Sequence, residues 1–303
     1  MLTHPDIFRT SQTMKKIVLA ALTALASVGA SAGAHYVPGV EGMQAASVPP
    51  PGMYYLGYLV NYSIDELRAP GSSDSLPGTN MSGTVSALAN RFVYITNTKV
   101  LGADYGMETI VPVVRKSFAF AGESNTGVGD IYLGPLVLGW HGGNWDAVAA
   151  AGMWFDTGNS DSISKPGNGY KSTMLTGGGT YYFDAAKSWS GSALVRYELN
   201  SKDDSGFEPG DQVTMEWGFG KSIGPVQVGV VGYDQWQTSD DSGTGASNNQ
   251  SERHAIGVEV VYPLMKEAGV MLKAAYYDEY SAKGGSKPET KGSTLRFSFV
   301  KAF

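Results

Sequence analysis

Four histidines and no cysteine leave this 303-residue sequence few ways to do chemistry. The histidines are His4, His35, His141 and His254, and no two of them have the spacing of paired metal ligands. Ser251 and His254 stand close enough to seed a serine hydrolase, but no G-x-S-x-G elbow and no phosphate-cradling loop accompany them. A histidine on an outer face is the simpler reading of His254. Neither a metal, a cofactor nor a catalytic set is expected, and the chain reads as a protein that is not an enzyme. The remaining candidates are charges set singly into apolar alternation. They are Arg91, Asp104, Glu108, Arg196, Glu198, Glu216, Arg253, Glu259, Lys273, Glu279 and Arg296, with Tyr233 beside them. Isolated charges in such a setting must be paired or hydrated. The elements that carry them decide which.

Those elements begin after an export signal. Met14 is followed by Lys15 and Lys16, an apolar run over residues 17–28, and Ala30-Ser31-Ala32. A basic start, an apolar core too short to span a bilayer and a small-residue cleavage site predict a secretory signal peptide over 14–32, with 1–13 as an upstream extension. Loss of residues 1–32 leaves 19 basic and 27 acidic residues, a net charge of −8. No basic patch exists, so nucleic acid is not an expected partner. Forty glycines, 17 tyrosines and a mean hydropathy of −0.14 favour a turn-rich β protein over a bundle of apolar helices.

Residues 33–52 end in Pro49-Pro50-Pro51-Gly52, which cannot join a central ladder. Period-two alternation then sets in. In Tyr54, Leu56, Tyr58, Val60 and Tyr62 one parity is wholly apolar, a strand with one face against something greasy. Twelve strands are predicted, near 53–63, 85–97, 100–114, 128–140, 144–156, 171–184, 190–201, 211–222, 226–238, 252–263, 268–280 and 291–303. Short turns at 98–99, 141–143, 185–189, 223–225 and 264–267 alternate with longer polar links at 64–84, 115–127, 157–170, 202–210, 239–251 and 281–290. An even strand count with turns sorted by length predicts an antiparallel transmembrane β-barrel over 53–303, with short periplasmic turns and longer extracellular loops. A soluble sandwich has no reason to sort its loops this way.

Sidedness agrees. In the predicted eighth strand Val213, Met215, Trp217 and Phe219 oppose Gln212, Thr214 and Glu216; in the tenth Ile256, Val258, Val260 and Tyr262 oppose Arg253 and Glu259. The apolar parity is expected to meet lipid and the polar parity the lumen. Strands near 128–156 and 226–238 have no decisive parity, and Pro135 interrupts one of them. The inward charges then either line a narrow, wet conduit, the favoured reading, or form an ion-pair network that fills the interior. In the last strand Leu295, Phe297, Phe299 and the terminal Phe303 share a parity. Phe297, Phe299 and Phe303 resemble the strand that the outer-membrane assembly machinery reads. Lys301 departs from that pattern and is expected to snorkel towards water.

Several short runs occur in a familiar order. They are Gly39-Val40-Glu41-Gly42-Met43, Pro49-Pro50-Pro51-Gly52-Met53-Tyr54-Tyr55, Gly129-Asp130-Ile131-Tyr132-Leu133-Gly134-Pro135, Tyr197-Glu198-Leu199-Asn200, Pro209-Gly210-Asp211 and Gly232-Tyr233-Asp234-Gln235-Trp236-Gln237. In these the mature chain resembles the outer-membrane transporter family of the phenol-degradation meta-pathway. The resemblance implies a barrel in the Gram-negative outer membrane for uptake of small hydrophobic, above all aromatic, compounds, and it supplies no catalytic residues. Trp236 is the point of difference, expected to alter lumen contacts there. The expected partners are outer-membrane lipid, the assembly machinery and a small-molecule solute. On this reading residues 33–52 form a hatch in the lumen. The alternatives are a structural or adhesion barrel with a closed lumen and, behind it, an outer-membrane lipid hydrolase.

Overall fold

The computed structural model describes residues 34–78 and 81–303, so the expected extension and signal peptide lie outside the described residues. The strands are β1 (Gly52–Arg68), β2 (Gly83–Val100), β3 (Ala103–Phe118), β4 (Glu123–Val128), β5 (Ile131–His141), β6 (Trp145–Phe155), β7 (Ser172–Tyr182), β8 (Trp189–Asn200), β9 (Gln212–Ile223), β10 (Val226–Gln237), β11 (Glu252–Met265), β12 (Val270–Lys283) and β13 (Glu289–Ala302). Every pairing is antiparallel. The ladder between β1 and β13, from Tyr54↔Ala302 to Arg68↔Glu289, closes the sheet on itself. Twelve strands complete the ring, and β4 continues the line of β5 along β3. Closure pairs both edges of every strand except β4, which pairs with β3 alone, and a ring without open edges is what an apolar solvent demands.

The sequence expected a long link at 115–127. Instead β3 runs on to Phe118 and turns within four residues into β4. The break in the fourth strand falls at Gly129 and Asp130, opposite Pro112. The Gly129 amide donates to the Pro112 carbonyl at 2.9 Å. Pro112 has no N–H to return towards the same neighbour. The Gly129 carbonyl accepts from the Thr157 hydroxyl instead, at 3.3 Å. Pro135 also disturbs the ladders around it, with register shifts between Leu133 and Leu136 against β6 and between Gly106 and Glu108 against β5. The expected link at 281–290 likewise shortens, because β12 reaches Lys283 and β13 begins at Glu289.

The outer face carries exposed Leu59, Phe92, Leu175, Val230, Val258 and Phe297. Tyr181, Phe183, Trp189 and Phe219 cluster towards the end that bears the short turns, and the Lys221 ammonium lies 4.6 Å from the Trp189 ring centre. Towards the loop end Trp236, His254 and Tyr280 stack on one another's edges and faces. Aromatic girdles at two heights around an apolar band mark the two membrane surfaces. Trp236 therefore faces outward, against its expected place in the lumen, because the inward parity of β10 is that of Val231, Tyr233, Gln235 and Gln237. The greasy parity of β1 goes the other way: Tyr58, Val60 and Tyr62 are buried inside the barrel, while Met53 and Leu59 are exposed on its outside. Lys301 donates to the Ala268 carbonyl in the turn before β12, which carries its ammonium to the membrane edge as expected.

At the turn end, Leu101 and Gly102 both have positive φ, 52° and 79°, in the two-residue link between β2 and β3. This pair of left-handed residues follows the twist of a hairpin, and leucine is strained there.

Candidate functional site

The interior is occupied by the chain's own N-terminal segment. From Gly52 at the turn end, residues 51 to 34 climb the lumen and finish among loop-end groups. His35 meets Ser172 through Nδ1 at 2.7 Å and Asp130 through Nε2 at 3.2 Å. A proline-bearing, glycine-bearing segment has no ladder to satisfy its amides, so the wall does so with side chains. Three carboxylates from three strands capture it. Glu198 on β8 accepts the His35 and Tyr36 amides, Glu216 on β9 accepts the Glu41 amide at 3.1 Å, and Glu259 on β11 accepts the Met43 amide at 2.6 Å. The Tyr36 hydroxyl also donates to Glu216.

The cations complete the hold. Glu41 is bound by Arg91 at 2.9 Å and by Arg196 at 2.6 Å, and Arg91 also pairs with Glu108. Arg196 lies over the Tyr36 ring at 4.1 Å, and Arg296 donates to the Gly39 carbonyl at 2.9 Å while pairing with Glu259. Met43 sits in a trough where β9 and β10 present Gly218, Gly220 and Gly229; a methyl group on any of the three would strike it. Gly42 takes a φ of 79° and a Cβ there would run into the Glu259 carboxylate, so two requirements make it glycine.

The sequence set is thus brought together in part. Arg91, Glu108, Arg196, Glu198, Glu216, Glu259 and Arg296 converge on the segment. Arg253, Glu279 and Tyr233 form a second network nearer the loop end, where Tyr233 and Tyr62 both donate to Glu279 at 2.7 Å and Arg253 lies between Glu279 and Glu289. Asp104 stands apart at the turn end with Lys99 and His141. Lys273 faces inward at that end, opposite Val261 and Ser298. The favoured picture of a wet conduit gives way here to ion pairs and an internal segment that occupy the lumen together. The reason is stoichiometric: apart from Lys116 and Lys273, the inward charges named here meet an opposite charge or a segment amide. Ser251 and His254 are not brought together. Ser251 is buried against Gln237, while His254 faces outward and bonds Asp234 at 2.7 Å.

Beside the segment a cavity of about 170 Å³ remains. Its wall on β1 to β3 is apolar, built by Val60, Val85, Ala87, Ile110 and Val114. Its far side is Tyr36, Trp154 and Met174, and its loop end is closed by Pro166, Asn168 and Asp130. Sequence reasoning missed this wall. On β2 the outward Leu88 and Phe92 are as apolar as the inward Val85 and Ala87, so no contrast between parities marks the inner face. Above it the loops are tied across the mouth. Lys287 lies 3.9 Å from the Phe207 ring centre, and burial there holds its ammonium below the ordinary lysine range against the opposing pull of Asp203 and Asp241.

A closed twelve-stranded antiparallel ring with a lipid-facing apolar band and two aromatic girdles defines a Gram-negative outer-membrane β-barrel. Within that class the chain belongs to the family described as the MetA-pathway of phenol degradation, whose profile matches residues 65–297. Among solved structures, an outer-membrane channel from Pseudomonas putida F1 superposes with a TM-score of 0.74 at 16% identity, covering 89% of this chain and all of that one. The β domain of the Bordetella autotransporter BrkA matches at 0.48 and 12%, covering 84% and 100%. A TodX monoaromatic hydrocarbon channel mutant matches at 0.45 and 10%, covering 92% and 99%. Likeness at such identities is likeness of fold. No curated protein matches the sequence.

Proposed function

We propose that this barrel is an outer-membrane channel for uptake of small hydrophobic, chiefly aromatic, compounds, with residues 34–51 serving as its hatch. The observation that carries this reading is the apolar cavity inside the lumen. Its volume of about 170 Å³ is close to the roughly 150 Å³ of an engineered apolar cavity that stays dry and holds benzene. Family membership points to the same class of solute. Proteoliposomes containing the purified protein should take up labelled toluene faster than empty ones. Ala87→Phe, which puts a ring into the cavity wall, should slow that uptake by about tenfold while leaving the barrel folded. Absence of uptake across a broad panel of apolar solutes would remove the reading.

The terminal strand supports a second, smaller proposal. Phe297 and Phe299 face lipid, and Phe303 is 75% exposed with its amide bonded to the Met53 carbonyl at 3.0 Å. We propose that these three aromatics are the assembly signal. Deleting Phe303 is expected to lower the amount of folded barrel in the outer membrane, scored by its heat-modifiable gel mobility, without changing refolding of the purified chain in detergent.

A further inference from the structure

The apolar wall of the cavity ends in a charge. Along β3 the inward positions run Ile110, Pro112, Val114 and then Lys116, and all four border the cavity. Lys116 is only 6% exposed. The other cations on the cavity are already engaged, Arg91 and Arg196 with Glu41 and Arg253 with Glu279. Among the described residues no hydrogen bond or ion pair closes on the Lys116 ammonium. Asp130 is the carboxylate whose field reaches it, but both Asp130 oxygens are taken. Oδ1 accepts the Thr157 and Gly158 amides at 3.1 and 2.9 Å, and Oδ2 accepts the Asn168 amide at 2.8 Å and faces His35 at 3.2 Å. A buried ammonium without a partner is costly unless something anionic joins it.

We propose that the cavity binds an aromatic ring carrying one carboxylate, the ring against Val85, Ala87, Ile110 and Val114 and the carboxylate on the Lys116 ammonium. The inference deepens the channel reading and rests on it. A carboxylate is favoured over a phenol because a phenolic hydroxyl, with a pKa near about 10, carries no charge at neutral pH. A ring with its charge at one end matches an apolar wall that ends in an unpaired ammonium, the other charges on the cavity being paired among themselves. It also assigns a reason for a lysine that follows three apolar inward residues, Ile110, Pro112 and Val114.

The test is equilibrium dialysis of the purified full-length barrel in detergent micelles against radiolabelled benzoate and radiolabelled toluene, with empty micelles as the blank. Wild-type protein should bind benzoate. Lys116→Met should weaken benzoate about tenfold or more, the worth of one charge-assisted hydrogen bond. Lys116→Arg should retain most of the benzoate affinity, and toluene binding should be the same in all three proteins. Heat-modifiable mobility establishes that each variant is folded, and a Lys116→Met chain that fails to fold is replaced by Lys116→Gln. Benzoate binding that ignores the Met and Gln substitutions overturns the proposal. So does toluene binding that falls as far as benzoate binding, which would make Lys116 a cation over the ring face. Wild-type protein that binds toluene but not benzoate overturns this inference and leaves the channel reading standing. Protein that binds neither ligand overturns both.

Discussion

Removing residues 34–50 raises the conductance of the barrel in planar bilayers by about tenfold, because twelve strands around an emptied lumen lie between the filled eight-stranded case and the aqueous porins. The segment now occupies that lumen from the turn end to the loop end, and its amides consume Glu198, Glu216 and Glu259. Without it those carboxylates, together with Arg91 and Arg196, face each other across a space that water must fill, since charges left in a dry interior are too costly. Conductance equal to that of the intact protein would show that the segment blocks nothing, and the hatch would be abandoned. Glu41→Gln provides the graded version. It keeps the shape of the side chain but takes the shared counter-ion from Arg91 and Arg196, so the expected record is brief openings above the wild-type baseline and not a permanently enlarged pore.

Arg296→Met is expected to be the most destabilising single substitution in the lumen. Arg296 and Glu259 are both fully buried, and Glu259 also holds the Met43 amide. Removing the guanidinium strands a carboxylate in the interior, a change that costs about 3–5 kcal/mol where a buried pair loses one partner. The denaturant midpoint, followed by loss of heat-modifiable mobility, should fall accordingly. The double variant Glu259→Gln with Arg296→Met removes both charges and should regain most of the loss. A single variant as stable as the wild type would mean that water reaches Glu259 and that the pair does not anchor the segment. The turn end supplies a contrast of opposite sign. Leu101→Asn or Leu101→Gly should raise the midpoint slightly, by adding about 1 kcal/mol of stability, because it relieves a left-handed leucine that is otherwise exposed.

Much of this architecture is legible in a chain read from end to end. Period-two alternation is a property of a few successive residues, so Val213 to Phe219 on β9 and Ile256 to Tyr262 on β11 declare their lipid face without help from any neighbour. The same holds for the twelve-strand count and for the long links between β1 and β2, β6 and β7, β8 and β9, and β10 and β11, though not for those at 115–127 and 281–290. Reading fails where both parities are apolar, as on β2, and where a proline breaks the ladder, as at Pro112 and Pro135. It fails also for Tyr58, Val60 and Tyr62, whose apolar parity suggests a face in contact with grease but cannot distinguish lipid outside from a ring-sized cavity inside.

What the inward charges do was decided only by the tertiary structure. Arg196 finds Glu41 across 155 positions and Arg296 finds the Gly39 carbonyl across 257. No local pattern encodes a partner at that distance, because it depends on the ring closing first and the N-terminal segment then lying along its axis. The sequence alone determined that a charge would point inward at Glu216, Arg253 or Glu259, since strand periodicity is short-ranged. Whether that charge would meet water, an opposite charge or a backbone amide depended on what filled the cylinder, and that is a property of the assembled barrel.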